Sequence, residues 1–450
     1  MESLQAHVAS HMPEHLAALD RLIRQPSVAA QGRGLEEAAA ATRDLFVDAG
    51  GRAEIVRQPG AAPVVLAEFP GRSERTLLFY DHYDVQPAEP LNEWTVPPFE
   101  LTVKNGRIYG RGTSDNKGDL VTRLAALRAL REVAGGLPCR VKFFVEGEEE
   151  IGSVHVGEYI TALRDRLHAD ACVWEYGDRD PDERLHAIAG VKGICYVELE
   201  LTATSRDLHS SMGAIVDGAG TRLAWAVAGL RDGTGRIRIP GFYDAVRPPA
   251  PAAVAAARAA PFDERQLRAY AGTTQFIGGR TGAAAVDAYL FEPTCTVCGF
   301  DAGYTGPGMK TVLPRRARAK VDFRLVPEQD PEVVVRLLRA HLDREGFADC
   351  TITPLGREHA YQTDLSHSFV QAVVDAARSS TGREVVLLPT SAGTGPMHPF
   401  GVQLGLPIIS IGTGYWGCNA HAPDEHIRLQ DFQETAVMVA HLLERFAGLP

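Results

Sequence analysis

Apolar residues recur every three or four positions in some stretches of this chain and every second position in others. Leu4 and Val8, then Leu16, Leu19, Leu22 and Ile23, predict a helix over 3–24. Pro13 kinks or restarts it, because proline has no N–H to give to the preceding turn. A second helix is predicted over 35–49, ending at Gly50-Gly51. Leu120, Leu124, Leu127 and Leu130 share one face of a third, over 117–133. Apolar, strand-like runs occupy 64–68, 76–80, 140–145 and 171–174, and Ser153 offers a cap for a helix after the third of them. Strands and helices in alternation predict an α/β fold whose mostly parallel central sheet is flanked by helices.

Near Gly193 the pattern changes. Over 196–204, Val197, Leu199 and Leu201 alternate with Glu198, Glu200 and Thr202, which predicts a strand with one wet face. A helix over 220–230, an irregular Pro/Ala-rich stretch over 248–261, an alternating strand over 319–326 and a helix over 331–345 follow. From about 364 the α/β pattern returns, with a helix over 366–379, a strand over 384–388 and a buried run over 406–411. The expectation is a catalytic domain in two parts, 1–193 and 363–450, interrupted by an inserted α+β lid or dimerisation domain, 194–362.

Composition narrows the function classes. The 450 residues carry 46 basic and 57 acidic side chains, a net charge of -11, and no basic run, which disfavours nucleic acid as a partner. No stretch reaches ~18 uninterrupted apolar residues, so no membrane span is expected. The first thirty or so residues, with Glu2, His7, Glu14, Asp20 and Arg21, hold no apolar signal-peptide core, and a cytoplasmic location is the default expectation. The seven cysteines suit a reducing compartment. Cys295 and Cys298 form a C-x-x-C with no second pair, which predicts packed cysteines rather than a four-ligand zinc site.

The chemistry gathers where predicted strands end. Asp81-His82-Tyr83-Asp84-Val85-Gln86-Pro87 follows the strand over 76–80, and residues two apart share a face, so Asp84 can accept the second ring N–H of His82. In Gly110–Gly118, Asp115 is either a helix cap or a carboxylate that bridges two cations. Glu146, Glu148, Glu149 and Glu150 follow a buried strand; they are either a solvated cluster or a set of ligands, since packed carboxylates repel unless cations lie among them. Glu175 ends the next strand, with Asp178 as a rival, and His421 follows the strand-like run over 406–411, with His426 as a rival. Four strand ends that each deliver a ligand-type residue are what the crevice of an open α/β sheet requires. Two imidazoles and three carboxylates can hold a pair of zinc-like cations if one carboxylate serves both.

In combination, His82-Tyr83-Asp84, Ser114-Asp115-Asn116-Lys117-Gly118 and Glu149-Glu150 followed by Gly152-Ser153 resemble the dinuclear-zinc aminoacylase and carnosinase family, over nearly the whole chain. The Tyr-Asp-Val-Gln-Pro wording is most similar to its cytosolic, carnosinase-like dipeptidase branch. The resemblance implies that His82 and Glu175 hold one metal, Glu150 and His421 the other, and Asp115 bridges them, with a cis peptide bond after Asp115. It implies that Asp84 orients His82 and that Glu149 is the general base. It further implies that His209 reaches into the partner's site in a homodimer, that Arg324 grips the substrate carboxylate, and that Thr311 and Thr394 contact substrate. Two departures stand out: Asp81 replaces a glycine common in relatives, and Ser211 replaces a glycine after His209-Ser210.

The expected function is metal-dependent hydrolysis of dipeptides or short peptides with a free carboxylate. Two divalent ions per subunit, zinc with manganese or cobalt as substitutes, lower the pKa of a held water toward ~7, and Glu149 moves its proton. An N-acyl amino acid deacylase or desuccinylase would use the same ligands and base. A non-catalytic metal-dependent binding protein is the reading outside enzymes.

Overall fold

A computed structural model describes residues 3–449; Met1, Glu2 and Pro450, at the outer ends of the expected catalytic domain, lie outside the described residues. The chain divides into two compact units, Met1–Gly190 with Gln362–Pro389 and Pro396–Pro450, and Val191–Tyr361 with Thr390–Gly395.

The first unit is built on an eight-stranded sheet, in the order Arg52–Val56, Val64–Phe69, Leu137–Glu146, Gly71–His82, Ala171–Trp174, Ile408–Ser410, Leu185–Ile188, Val385–Leu388. Its middle is parallel: Gly71–His82 pairs in parallel with Leu137–Glu146 and with Ala171–Trp174, which pairs in parallel with Ile408–Ser410. The antiparallel pairs run at the Arg52–Val56 edge and at one bridge near the other. From Thr76 to His82 every residue of the central strand is buried, as expected for a parallel strand covered on both faces. Each buried Leu or Phe there contributes about 1.5–3 kcal/mol. Helix Lys117–Val133 packs its leucine face into this core, and Pro13 sits in the first turn of a restarted helix, Met12–Ile23, after Leu4–Ser10 has ended.

Arg123, from helix Lys117–Val133, fixes the sheet where the chemistry lies. It is fully buried, donates to the carbonyls of Tyr80 (2.8 Å) and Trp174 (2.7 Å), and stands 2.7 Å from the Asp81 carboxylate. Burial raises the Asp81 carboxyl to about 7, with Arg123 opposing. The departure at Asp81 is thereby explained: its charge belongs to this ion pair, one position before His82.

The second unit holds a four-stranded antiparallel sheet, Thr296–Ala302, Arg316–Leu325, Gly193–Thr202, Thr351–Glu358. Val197, Leu199, Leu201, Val321 and Phe323 face a core shared with Leu223 and Leu338 of helices Ala219–Ala228 and Pro331–Arg344. The alternate positions pair Ile194 with Arg324, Tyr196 with Asp322 and Glu198 with Lys320.

Two expectations need correction. The stretch over 248–261 contains a regular helix, Pro251–Ala259, with proline tolerated at its start and alanines filling it; two more helices, Glu264–Ala271 and Gly282–Phe291, follow. Ser153 is no cap: His155 precedes helix Val156–Leu163, and the Ser153 hydroxyl donates to Glu146 (2.9 Å).

Removing one partner of a buried ion pair strands the other charge. Arg123→Met is expected to cost about 3–5 kcal/mol in urea unfolding, and less when Asp81→Asn is added. A cost within ~0.5 kcal/mol for the single variant would contradict this role.

Candidate metal centre

His82 closes the central strand, and its ring is wholly buried. Its Nδ1 lies 3.0 Å from the Asp84 backbone carbonyl and 3.3 Å from the Asp84 carboxylate. A carbonyl can only accept, so Nδ1 carries a proton, and in the neutral ring Nε2 presents its lone pair outward. The Asp84 carboxylate is engaged further by the backbone N–H of Glu149 (3.3 Å) and of Glu150 (3.0 Å). One residue thus sets the tautomer of His82 and anchors the turn Glu149–Ile151.

Asp115 sits in the Gly-rich loop before helix Lys117–Val133, and the Asp115–Asn116 peptide bond is cis. The cap reading fails: Asn116 occupies the cap position without a side-chain capping bond, and the Asp115 oxygens point elsewhere. Oδ1 lies 3.0 Å from His82 Nε2, and Oδ2 lies 3.0 Å from His421 Nε2. A buried carboxylate holds this loop. Glu425 accepts from the backbone N–H of Gly112 (2.9 Å), Ser114 (2.8 Å) and Asp115 (3.0 Å), and from Arg111 Nη1 (2.8 Å). A Cβ on Gly118 would overlap the carbonyl oxygen of Thr113, so glycine is required where the helix turns back on the loop.

The remaining candidates converge on the same carboxylate. Glu175 Oε2 lies 3.0 Å from His82 Nε2, and Glu150 Oε2 lies 3.2 Å from His421 Nε2. Gln86 fixes Glu150 through its backbone N–H (3.1 Å) and side-chain amide (2.8 Å). Ligand atoms of His82, Glu149 and Glu175 form one group, and those of Asp115, Glu150 and His421 another, each spanning no more than 4.8 Å. Tyr176 and His421 both adopt left-handed backbone, at φ 60 and 62, an uncommon conformation for such residues and one that clusters at functional sites.

The rivals are occupied elsewhere. Asp178 pairs with His186 (2.9 Å), and His426 meets the Tyr415 hydroxyl and the Asp424 carbonyl. Of the acidic run, Glu146 accepts from Tyr80 (2.6 Å) and Ser153, while Glu148 binds His155 and the Ala62 N–H. Gln86 belongs to the Asp81–Pro87 motif, but no spacing rule signals that it holds Glu150, or that Glu425 accepts from a loop some three hundred positions earlier. Asp119, which accepts from the Thr413 N–H (2.8 Å), gave no signal either.

The donor set fits two divalent cations. A single Nε2 position faces two carboxylate oxygens at 3.0 Å, and one proton cannot serve both well. Glu175 Oε2 is buried with no hydrogen-bond donor aimed at it. Ligands about 2.0–2.1 Å from a tetrahedral zinc lie roughly 3.4 Å apart, close to the spacing found here. The electrostatics agree. Burial alone would lower the His82 ring, but Glu175 and the bonds to Asp115 and Asp84 hold it well above its usual value. Hydrogen bonds to Asp115 and Glu150 raise His421 to about 10. Burial would raise Asp115, yet the bonds from His421 and His82 keep it low. Burial, then the negative field of Glu175, pushes Glu149 well up. The cluster calls for positive charge between its members.

In the second unit, His209 is exposed. Its Nδ1 accepts from the Ser211 backbone N–H (3.1 Å) and lies 2.9 Å from the Ser211 hydroxyl, while Nε2 is 3.3 Å from the Thr311 hydroxyl. Arg324 Nη1 donates to Thr394 (2.7 Å), and its Nε is 3.4 Å from Asp322. The cysteines are all free, and Cys295 and Cys298 belong to none of the metal-competent groups among the described residues.

Comparison with known proteins gives a consistent result. The chain is 31% identical over 297 residues to the human Beta-Ala-His dipeptidase, covering 62% of the chain and 56% of that protein. It is 31% identical over 291 residues to the Cys-Gly metallodipeptidase dug1 of Schizosaccharomyces pombe, covering 63% and 60%. The chain therefore spans a little over half the length of these curated relatives. A solved M20 family metallo-carboxypeptidase from Sulfolobus solfataricus superposes with a TM-score of 0.92 at 39% identity, over 97% of this chain and 100% of that one. The model of Peptidase family M20/M25/M40 matches residues 78–445, a span that includes every residue of the two ligand groups around Asp115; the chain belongs to that family.

Proposed function

We propose that the protein is a dinuclear metal-dependent amide hydrolase that cleaves dipeptides or short peptides with a free carboxylate. The observation that carries this reading is Asp115 with one oxygen at each of two imidazoles, His82 and His421, flanked by Glu175 and Glu150. We assign His82 and Glu175 to one ion, Glu150 and His421 to the other, and Asp115 to both. When bound, such ions supply Lewis acidity and a water whose pKa falls toward ~7. Zinc suits two imidazoles and three carboxylates, and manganese or cobalt would substitute.

Glu149 is not needed as a ligand in this assignment and stands beside the His82 group, so it is the base. It accepts the proton of the attacking water and returns it to the leaving nitrogen. Asp84 keeps the His82 ring and the Glu149 turn in register. His209 is the carbonyl-polarising donor. Because its Nδ1 accepts a backbone N–H, the neutral ring carries its proton on Nε2, the tautomer that can donate to an oxyanion. Ser211, the departure in this loop, supports that tautomer. Arg324, steadied by Thr394 and Asp322, offers a planar guanidinium to the substrate carboxylate, and Thr311 lies at the donor side of His209.

A homodimer with His209 acting in the partner's site is supported by an open sheet edge. Thr296–Ala302 is the outer strand of its sheet and leaves Val297 and Phe300 exposed, as is Trp225 in helix Ala219–Ala228. Such an edge is a ready template for another strand. No helix among the described residues is long and apolar enough to cross a membrane.

A panel of dipeptides, longer peptides, and N-acetyl and N-succinyl amino acids tests the substrate class on metal-loaded protein. Peptides with a free carboxylate are expected to turn over, with EDTA abolishing and added metal restoring the rate. Glu149→Ala is expected to keep its metal and lose about 10²–10⁴-fold in rate. Turnover confined to N-acyl amino acids would move the protein to the deacylase reading, and metal-independent turnover would defeat both.

Mixing inactive His209→Ala and Glu149→Ala chains tests the shared site. One site of each mixed dimer is intact, so roughly a quarter of wild-type activity is expected at equal amounts. No recovery, with mixed dimers demonstrated, would contradict a site shared between the two chains.

A further inference from the structure

A second set of metal-competent side chains lies in the first unit, apart from the ligands around Asp115. His7 is buried on helix Leu4–Ser10, and His11 stands one turn later at the end of that helix. The His11 backbone N–H still donates to the His7 carbonyl (3.1 Å), so the two residues keep helical i, i+4 spacing. Their rings stack, with centroids 4.1 Å apart and planes 27° from parallel. His11 Nδ1 lies 2.9 Å from the His7 carbonyl oxygen. That oxygen can only accept, so Nδ1 holds the proton and Nε2 keeps its lone pair. This is the arrangement of backbone carbonyl and ring found at His82, and metal-binding imidazoles generally show it.

The third member comes from another helix. Glu132 Oε2, in the last turn of Lys117–Val133, lies 3.6 Å from His7 Nε2. One ligand atom from each of His7, His11 and Glu132 falls within a span of 4.8 Å. The ligand atoms of a tetrahedral zinc lie roughly 3.4 Å apart, and His11 and Glu132 are the members of the group that are not buried and so have room to adjust. A carboxylate at the negative end of a helix is ordinarily disfavoured, and a cation there reverses the sign of that interaction. His15, one turn beyond His11, is not part of the group: it is buried beside Phe432, ring centroids 5.9 Å apart, and Arg128 acts on it.

We infer that His7, His11 and Glu132 form an additional site for a borderline divalent cation of the zinc class, clasping helix Leu4–Ser10 to the end of helix Lys117–Val133. Two imidazoles and one carboxylate leave one coordination position for water. The clasp joins the beginning of the chain to the helix whose other end follows Asp115. It is a stability device, and turnover does not depend on it.

The test uses tag-free, full-length protein already loaded with metal for activity. Wild type, His11→Ala and Glu132→Gln are each equilibrated with micromolar zinc, gel-filtered, and analysed for zinc and protein. Wild type is expected to hold one zinc per chain more than either variant, whatever the count at the other centre. It is also expected to gain several degrees of melting temperature on zinc addition, which the variants lack, with unchanged peptide turnover in all three. Both altered positions are accessible, so folding is preserved, and circular dichroism checks it. Equal zinc content in the three proteins, or a loss accompanied by loss of turnover, would overturn the inference.

Discussion

One carboxylate organises the first unit. Asp115 places its two oxygens at equal distances from two imidazoles that arrive from opposite ends of the chain, His82 at a strand terminus and His421 in a late loop. Neither histidine could be aimed there by local sequence. The loop that carries Asp115 is itself held from a distance, since the Glu425 carboxylate collects three backbone N–H groups and an arginine. Hydrogen bonds to a buried charged group are stronger than neutral ones, and each donor left unmet would cost about 1–3 kcal/mol. The position of Asp115 is thus defined by backbone contacts rather than by a flexible side chain.

The sheet around it explains why so much charge is tolerated. Parallel strands buried on both faces bring His82 and Glu175 to neighbouring carboxyl ends, where the helices turn away and a crevice opens. Charges just inside that edge are paired: Asp81 with Arg123, Arg111 with Glu425. What remains is the group around Asp115, in which acids outnumber imidazoles. That imbalance is the physical case for divalent cations, and family membership gives it a chemical purpose.

Much of this was legible in the sequence, for reasons that particular residues make plain. Helix Lys117–Val133 was bounded correctly because leucines at 120, 124, 127 and 130 carry the helical period and the Gly-rich loop precedes it. His82, Asp115, Glu150, Glu175 and His421 stood out as ligand-type residues at strand ends. The period gave no help over 248–261, where alanine serves helix and loop alike and prolines pointed to irregular chain; a helix formed because Pro251 sits at its tolerated first turn. Ser153 was misjudged because a hydroxyl near a helix start caps only if it reaches the backbone, and this one found Glu146 instead. Choices such as His421 over His426 depend on where a loop points each ring, which no one-dimensional pattern encodes. Glu425 and Gln86 act on residues far along the chain, so they surfaced only in three dimensions.

The central claim is that Asp115 lies between two cations, each completed by one imidazole and one further carboxylate. Anomalous diffraction from crystals of zinc-loaded protein measures this directly. The account predicts two peaks per chain, one bounded by His82, Asp115 and Glu175, the other by His421, Asp115 and Glu150. One peak, or density that leaves Asp115 out of contact with either ion, would contradict it.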